Sequence, residues 1–146
     1  MDGGGRGAGF AVTIPRRFVP QRDFPRTGFT AALGRLVEDV PGLEAVAFCD
    51  EEGEVVDYHT YLEPYETKVA GAVLGVLLAS IQREAPHLAP GGIRELVVVT
   101  DQHVLFVRRS VGEYFLAGVM EAGGALGKLL AALDATEARL LTEAGL

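Results

Sequence analysis

The sequence predicts one three-layer α/β (α+β) domain, a five-stranded antiparallel sheet with helices on both faces in the order α-β-β-α-β-β-β-α. Three observations predict it. Apolar residues recur at helical spacing in three stretches. Five short runs rich in β-branched and aromatic residues fall between those stretches. Most of these runs are joined by tight turns, which connect antiparallel neighbours. A chain of 146 residues with 49% hydrophobic and 23% charged residues is long enough to bury one core.

Taken in order, residues 1–9 carry five glycines and read as a flexible tail. Phe10, Val12 and Ile14 alternate like a short strand, so the extension 1–26 is expected to become partly ordered from about residue 10. The regular domain is expected over 27–146. Thr27 or Thr30 supplies a helix cap. Phe29, Leu33, Leu36, Val37 and Val40 then share one helical face until Pro41-Gly42 breaks the pattern. LEAVAFCD (43–50) and EVVDYHTY (54–61) form two strands joined by Asp50-Glu51-Glu52-Gly53, with glycine late in the turn. The second helix runs from Pro64 to about Ala85-Pro86. RELVVVT (94–100), HVLFVRR (103–109) and YFLAGVM (114–120) are the last three strands. Leu96 to Val99 are apolar in sequence, which predicts burial on both faces. Leu126, Leu129, Leu130, Leu133, Leu140 and Leu141 line the final helix.

The second helix is the most informative segment. Its apolar residues, among them Val69, Val73, Leu74, Val76, Leu77, Leu78 and Ile81, cover about half its circumference. Gly71, Gly75 and Ala79 form a neighbouring strip of small residues, four apart and so on one face. Each glycine costs about 0.8–1 kcal/mol of helix propensity relative to alanine. A close approach by another element accounts for that cost, either a second subunit's helix or a neighbour within the chain. Gly71, Gly75 and Ala79, with Lys68 and Ala72, are the expected dimer interface. The sheet edge is a second expected place of contact.

Charge narrows the partners. Residues 1–26 hold five arginines against two aspartates, a net of +3, while residues 27–146 hold eight basic and eighteen acidic groups, a net of −10. An acidic body repels nucleic acid and anionic membrane, so neither is expected as a partner. Arg16, Arg17 and Arg22 of the extension are expected to reach the acidic body. No basic start followed by a long apolar run is visible, and no apolar run is long enough to span a bilayer. A cytoplasmic protein is expected.

No catalytic set emerges. His59, His87 and His103 lack the spacing of a metal motif, and one cysteine, Cys49, permits neither an internal disulfide nor a cysteine-based metal site. Glu51, Glu52, Glu54 and Asp57 read as a solvated acidic turn. Gly124, Gly127 and Lys128 resemble part of a P-loop, but Leu129 stands where the magnesium-binding hydroxyl belongs. Arg108 and Arg109, at a strand end, are available to a partner's carboxylates. No cofactor, metal or catalytic residue is expected.

The stretch FTAALGRLVEDVPGLEAVAFCDEEGEVVDY, the small-residue helix and RELVVVTDQHVLFVRRSVGEYFLAGVM resemble the roadblock family of dynein light chains and bacterial MglB-like proteins. The resemblance spans roughly residues 27–142 and rests on element order, Val40-Pro41-Gly42-Leu43 and Asp50-Glu51-Glu52-Gly53. It implies a dimer built through the second helix and an edge strand. It further implies a non-enzymatic adaptor or regulator of a small Ras-like GTPase, acting by arranging the GTPase rather than by donating an arginine. No family catalytic residue maps onto this chain. A small-ligand sensor, with its ligand between sheet and helix, is the alternative reading.

Overall fold

A computed structural model describes residues 16–88, 91–110 and 112–145. The expected strand around Phe10, Val12 and Ile14 and the glycine tail lie outside the described residues. The elements are α1 (Thr30–Asp39), β1 (Leu43–Cys49), β2 (Val55–Thr60), α2 (Pro64–Leu88), β3 (Glu95–Val99), β4 (His103–Arg109), β5 (Phe115–Glu121) and α3 (Leu126–Glu143). The predicted order of three helices and five strands is the observed one.

The strands form one antiparallel sheet in the order β2-β1-β5-β4-β3. The β1–β2 turn is made as its sequence dictates. Asp50 Oδ1 accepts from the backbone N–H groups of Glu52 and Glu54, and Gly53 takes the positive φ of 86° that side chains disfavour. The helix α2 joins β2, at one edge of the sheet, to β3, at the other. It crosses the sheet face over β1, β5 and β4.

The pleat divides the side chains into two cores. Val46, Phe48, Val104, Phe106, Leu116 and Met120 face α1 and α3, meeting Leu33, Leu36, Leu129 and Leu133. Ala47, Cys49, Tyr58, Val107 and Ala117 face α2, meeting Leu74 and Leu78.

Three local expectations are corrected. Neither Thr27 nor Thr30 caps α1: Phe29 holds the N-cap position without a side-chain bond. Both threonine hydroxyls instead donate to Asp57, which competes for them successfully because it is buried and charged. The α2 helix continues past Pro86 to Leu88, since the hydrogen bond that proline forfeits falls in the last turn. Strand β3 is not buried on both faces. It is a half-covered edge strand, and Val99 is 71% exposed.

Candidate interaction surfaces

The outward face of α2 is apolar. Tyr65, Val69, Val73, Val76 and Leu77 are all exposed, Val76 to 66% and Val73 to 53%. They recur at spacings of three, four and seven, opposite the buried line of Thr67, Gly71, Leu74 and Leu78. A contiguous apolar helix face of this kind marks a contact site more often than a solvated surface.

The small-residue strip lies elsewhere, and its assignment to a dimer interface is corrected for Gly71 and Gly75. A Cβ on Gly71 would sit 3.1 Å from Cys49 Sγ, and a Cβ on Gly75 would sit 2.5 Å from Phe115 Cζ. Both glycines therefore face the chain's own sheet, where the Phe115 ring leaves no space for a methyl group. Ala72 and Ala79 are exposed. Lys68 is engaged within the chain: its Nζ donates to Asp23 at 2.8 Å and lies 5.3 Å from the Phe24 ring centre.

The β3 strand begins near the C-terminal part of α2, where Gln82 Nε2 donates to Ile93 O at 3.1 Å. Arg109 N donates to Arg94 O and Thr100 N to His103 O, at the two ends of the β3–β4 ladder. The alternation of antiparallel bonding then turns the backbone groups of Glu95, Val97 and Val99 away from β4. Leu96 and Val98, on the α2 side of β3, are only half-buried.

Arg108 is not a partner contact. It is 5% exposed and donates to Glu95 at 2.7 Å, Asp134 at 2.6 Å and Glu137 at 3.1 Å, tying α3 to the sheet. Its three carboxylates outweigh the cost of burial and hold its pKa above the ordinary arginine value. Arg109, on the opposite face, is exposed at the rim of a cleft of about 200 Å³ beside Ala79, Gln82 and Tyr114.

At the other end of the sheet, residues 16–26 lie against β2. Gln21 bridges Thr60, Arg17 N donates to Tyr61 O at 2.6 Å, and Arg17 pairs with Glu63. Arg22 pairs with Asp57 and donates to Tyr58 O at 2.8 Å. Phe24 packs edge-on to Tyr58 with centroids 4.9 Å apart. Arg17 and Arg22 of the extension thus do reach the acidic body, and Asp57, expected as part of a solvated acidic turn, is fully buried.

The histidines stand apart. His59 on β2 is packed against Gly34 of α1, and burial lowers its pKa. His103 lies 3.5 Å from Glu44, and His87 is exposed near the end of α2. Burial pushes the Cys49 thiol up to about 12. Among the described residues, no three His, Cys, Asp or Glu side chains are placed to hold a metal ion, and no helix is long and apolar enough to cross a membrane. A groove of about 460 Å³ is an open surface feature between α1 and α3.

No family model matches the chain, and no curated protein matches it in sequence. Solved structures do. A Roadblock/LC7 domain from Streptomyces avermitilis superposes with a TM-score of 0.73 at 19% identity, over 80% of this chain and 97% of that one. The gliding protein MglB from Thermus thermophilus gives 0.72 at 17% identity, over 90% and 98%. Myxococcus xanthus MglB gives 0.71 at 13% identity, over 82% and 96%. The chain has the roadblock/LC7 fold.

Within this roadblock fold, the exposed valines of α2 were visible in the sequence as part of a helix apolar over half its surface. What the sequence did not reveal is which apolar residues turn inward. The Phe115 ring on the sheet decides that: it requires a glycine above it, so Gly71 and Gly75 go inward and the valines go out.

Proposed function

We propose that this chain is a non-enzymatic, homodimeric adaptor or regulator of the roadblock family that binds a small Ras-like GTPase in the cytoplasm. The observation that carries the reading is the apolar outer face of α2 beside the open β3 edge, in a fold shared with two MglB proteins. Pairing of both elements across a two-fold axis covers the valines and extends the sheet through β3 at once, as an isologous contact requires. Ala72 and Ala79 lie on the margin of that contact, and Arg109 is an exposed cation nearby that meets a partner's carboxylates. Any effect on GTP hydrolysis comes from positioning the GTPase, since no nucleophile–base pair is assembled on these surfaces among the described residues. The test is gel filtration with candidate Ras-like GTPases loaded with GTP or GDP. Co-elution that depends on the nucleotide state is expected. Failure to bind either form, together with a metabolite that raises the melting temperature, would replace this reading with the ligand sensor.

A further inference from the structure

The two edges of the sheet differ. At β3 the outward backbone groups of Val97 and Val99 meet no other strand among the described residues. At β2 several of the outward groups are taken. Thr60 O accepts from Gln21 N at 2.8 Å, and Tyr61 O accepts from Arg17 N. Tyr58 O accepts from Arg22, and Tyr58 N donates to the buried Asp57 carboxylate at 2.7 Å. Between Tyr58 and Tyr61, three carbonyls and one N–H are thus occupied by a segment of the same chain or by a side chain.

From this we infer that residues 16–22 are a built-in edge cap, which closes β2 to strand addition and leaves β3 as the single edge through which a second copy extends the sheet. An uncapped sheet with two open edges propagates strand pairing without limit. The cap makes assembly end at two copies. The inference rests on the dimer proposed above for its stoichiometry, but the closure of β2 stands on its own contacts. Arg22 fixes the cap from one side, through Asp57 and the carbonyl of Pro25 at 3.0 Å. Asp23 fixes it from the other, through Lys68 and the Tyr58 hydroxyl.

The experiment uses full-length Arg17→Pro/Gln21→Pro/Arg22→Gln, which removes the donors to Tyr61, Thr60 and Tyr58. Sedimentation velocity is measured over a range of concentrations beside the wild type, with circular dichroism to confirm folding. The expected result is species at least twice the wild-type mass that grow with concentration. A folded variant with unchanged sedimentation overturns the cap. If loss of the Arg22–Asp57 pair unfolds the triple variant, Arg17→Pro/Gln21→Pro is read by the same criterion. Val97→Pro removes an outward N–H on β3 and separates the two proposals. Alone it should reduce a dimer to a monomer. Combined with the cap substitutions it should still assemble, through β2. A wild type already monomeric and indifferent to Val97→Pro sinks the dimer, while the cap is still judged by the proline variants.

Discussion

Glu44 on β1 and Asp57 on β2 are both buried carboxylates, and their surroundings drive them in opposite directions. Burial raises both. Asp57 accepts from Thr27, Thr30, Arg22 and the Tyr58 N–H, which together hold it below the usual carboxylate range. Glu44 has His103 at 3.5 Å, and its Oε1 accepts no hydrogen bond, so burial dominates and its pKa is raised. A carboxyl whose folded pKa is raised favours the folded state fully below its unfolded value, near 4.5. That contribution is lost as pH rises through the folded value. Glu44→Gln should therefore melt above wild type at pH 8, by about 2–4 °C for each kcal/mol recovered, and the gap should close toward pH 5. A variant that melts below wild type at both pH values would show that the carboxylate is used in the fold. Asp57, with its depressed pKa, loses its contribution only as pH falls below about 3.8. None of this was legible in the sequence. Asp57 follows Glu51, Glu52 and Glu54 and reads as one more surface acid. Its partners Arg22, Thr27 and Thr30 are 27–35 residues away, and only the path of the extension along β2 brings them to it.

The individual elements were far more legible, because their signals are local. The hairpin at Asp50–Gly53 is specified by one aspartate and one glycine, and β4 runs from His103 to Arg109 as the apolar run predicts. What local signals omit is orientation and coverage. Four successive apolar residues in β3 read as a strand buried on both sides, yet the same pattern serves an edge strand whose cover is missing. In α2, valines and glycines each fit a helix-facing or sheet-facing role, and the arbiter is the Phe115 ring, which no periodicity reveals. The correction is testable in the fold itself. Gly75→Ala places a methyl 2.5 Å from that ring and should destabilise the protein by roughly 1–3 kcal/mol through overpacking. Gly127→Ala on α3 meets nothing within 4 Å and should stabilise it by up to about 1 kcal/mol. Thermal melts of the two variants should move in opposite directions. An unchanged melt for Gly75→Ala would return the strip to the outer surface.

The whole molecule is asymmetric across its sheet. One face is covered by two helices and a continuous core, the other by a single helix that is apolar on its far side as well. One edge is held by the chain's own residues 16–22, and the other meets no further strand among the described residues. In the dimer proposed above, a second copy covers both the β3 edge and the apolar helix face. Sedimentation equilibrium of the wild type beside Val73→Asp/Val76→Asp tests this most directly. Both substitutions lie on the exposed face of α2 and leave the core untouched. The expected wild-type mass is twice the 15.5 kDa chain at micromolar concentration, and the folded variant is expected at the mass of one chain. A wild type that sediments as a single chain at high micromolar concentration, or a variant that keeps the doubled mass, would contradict it.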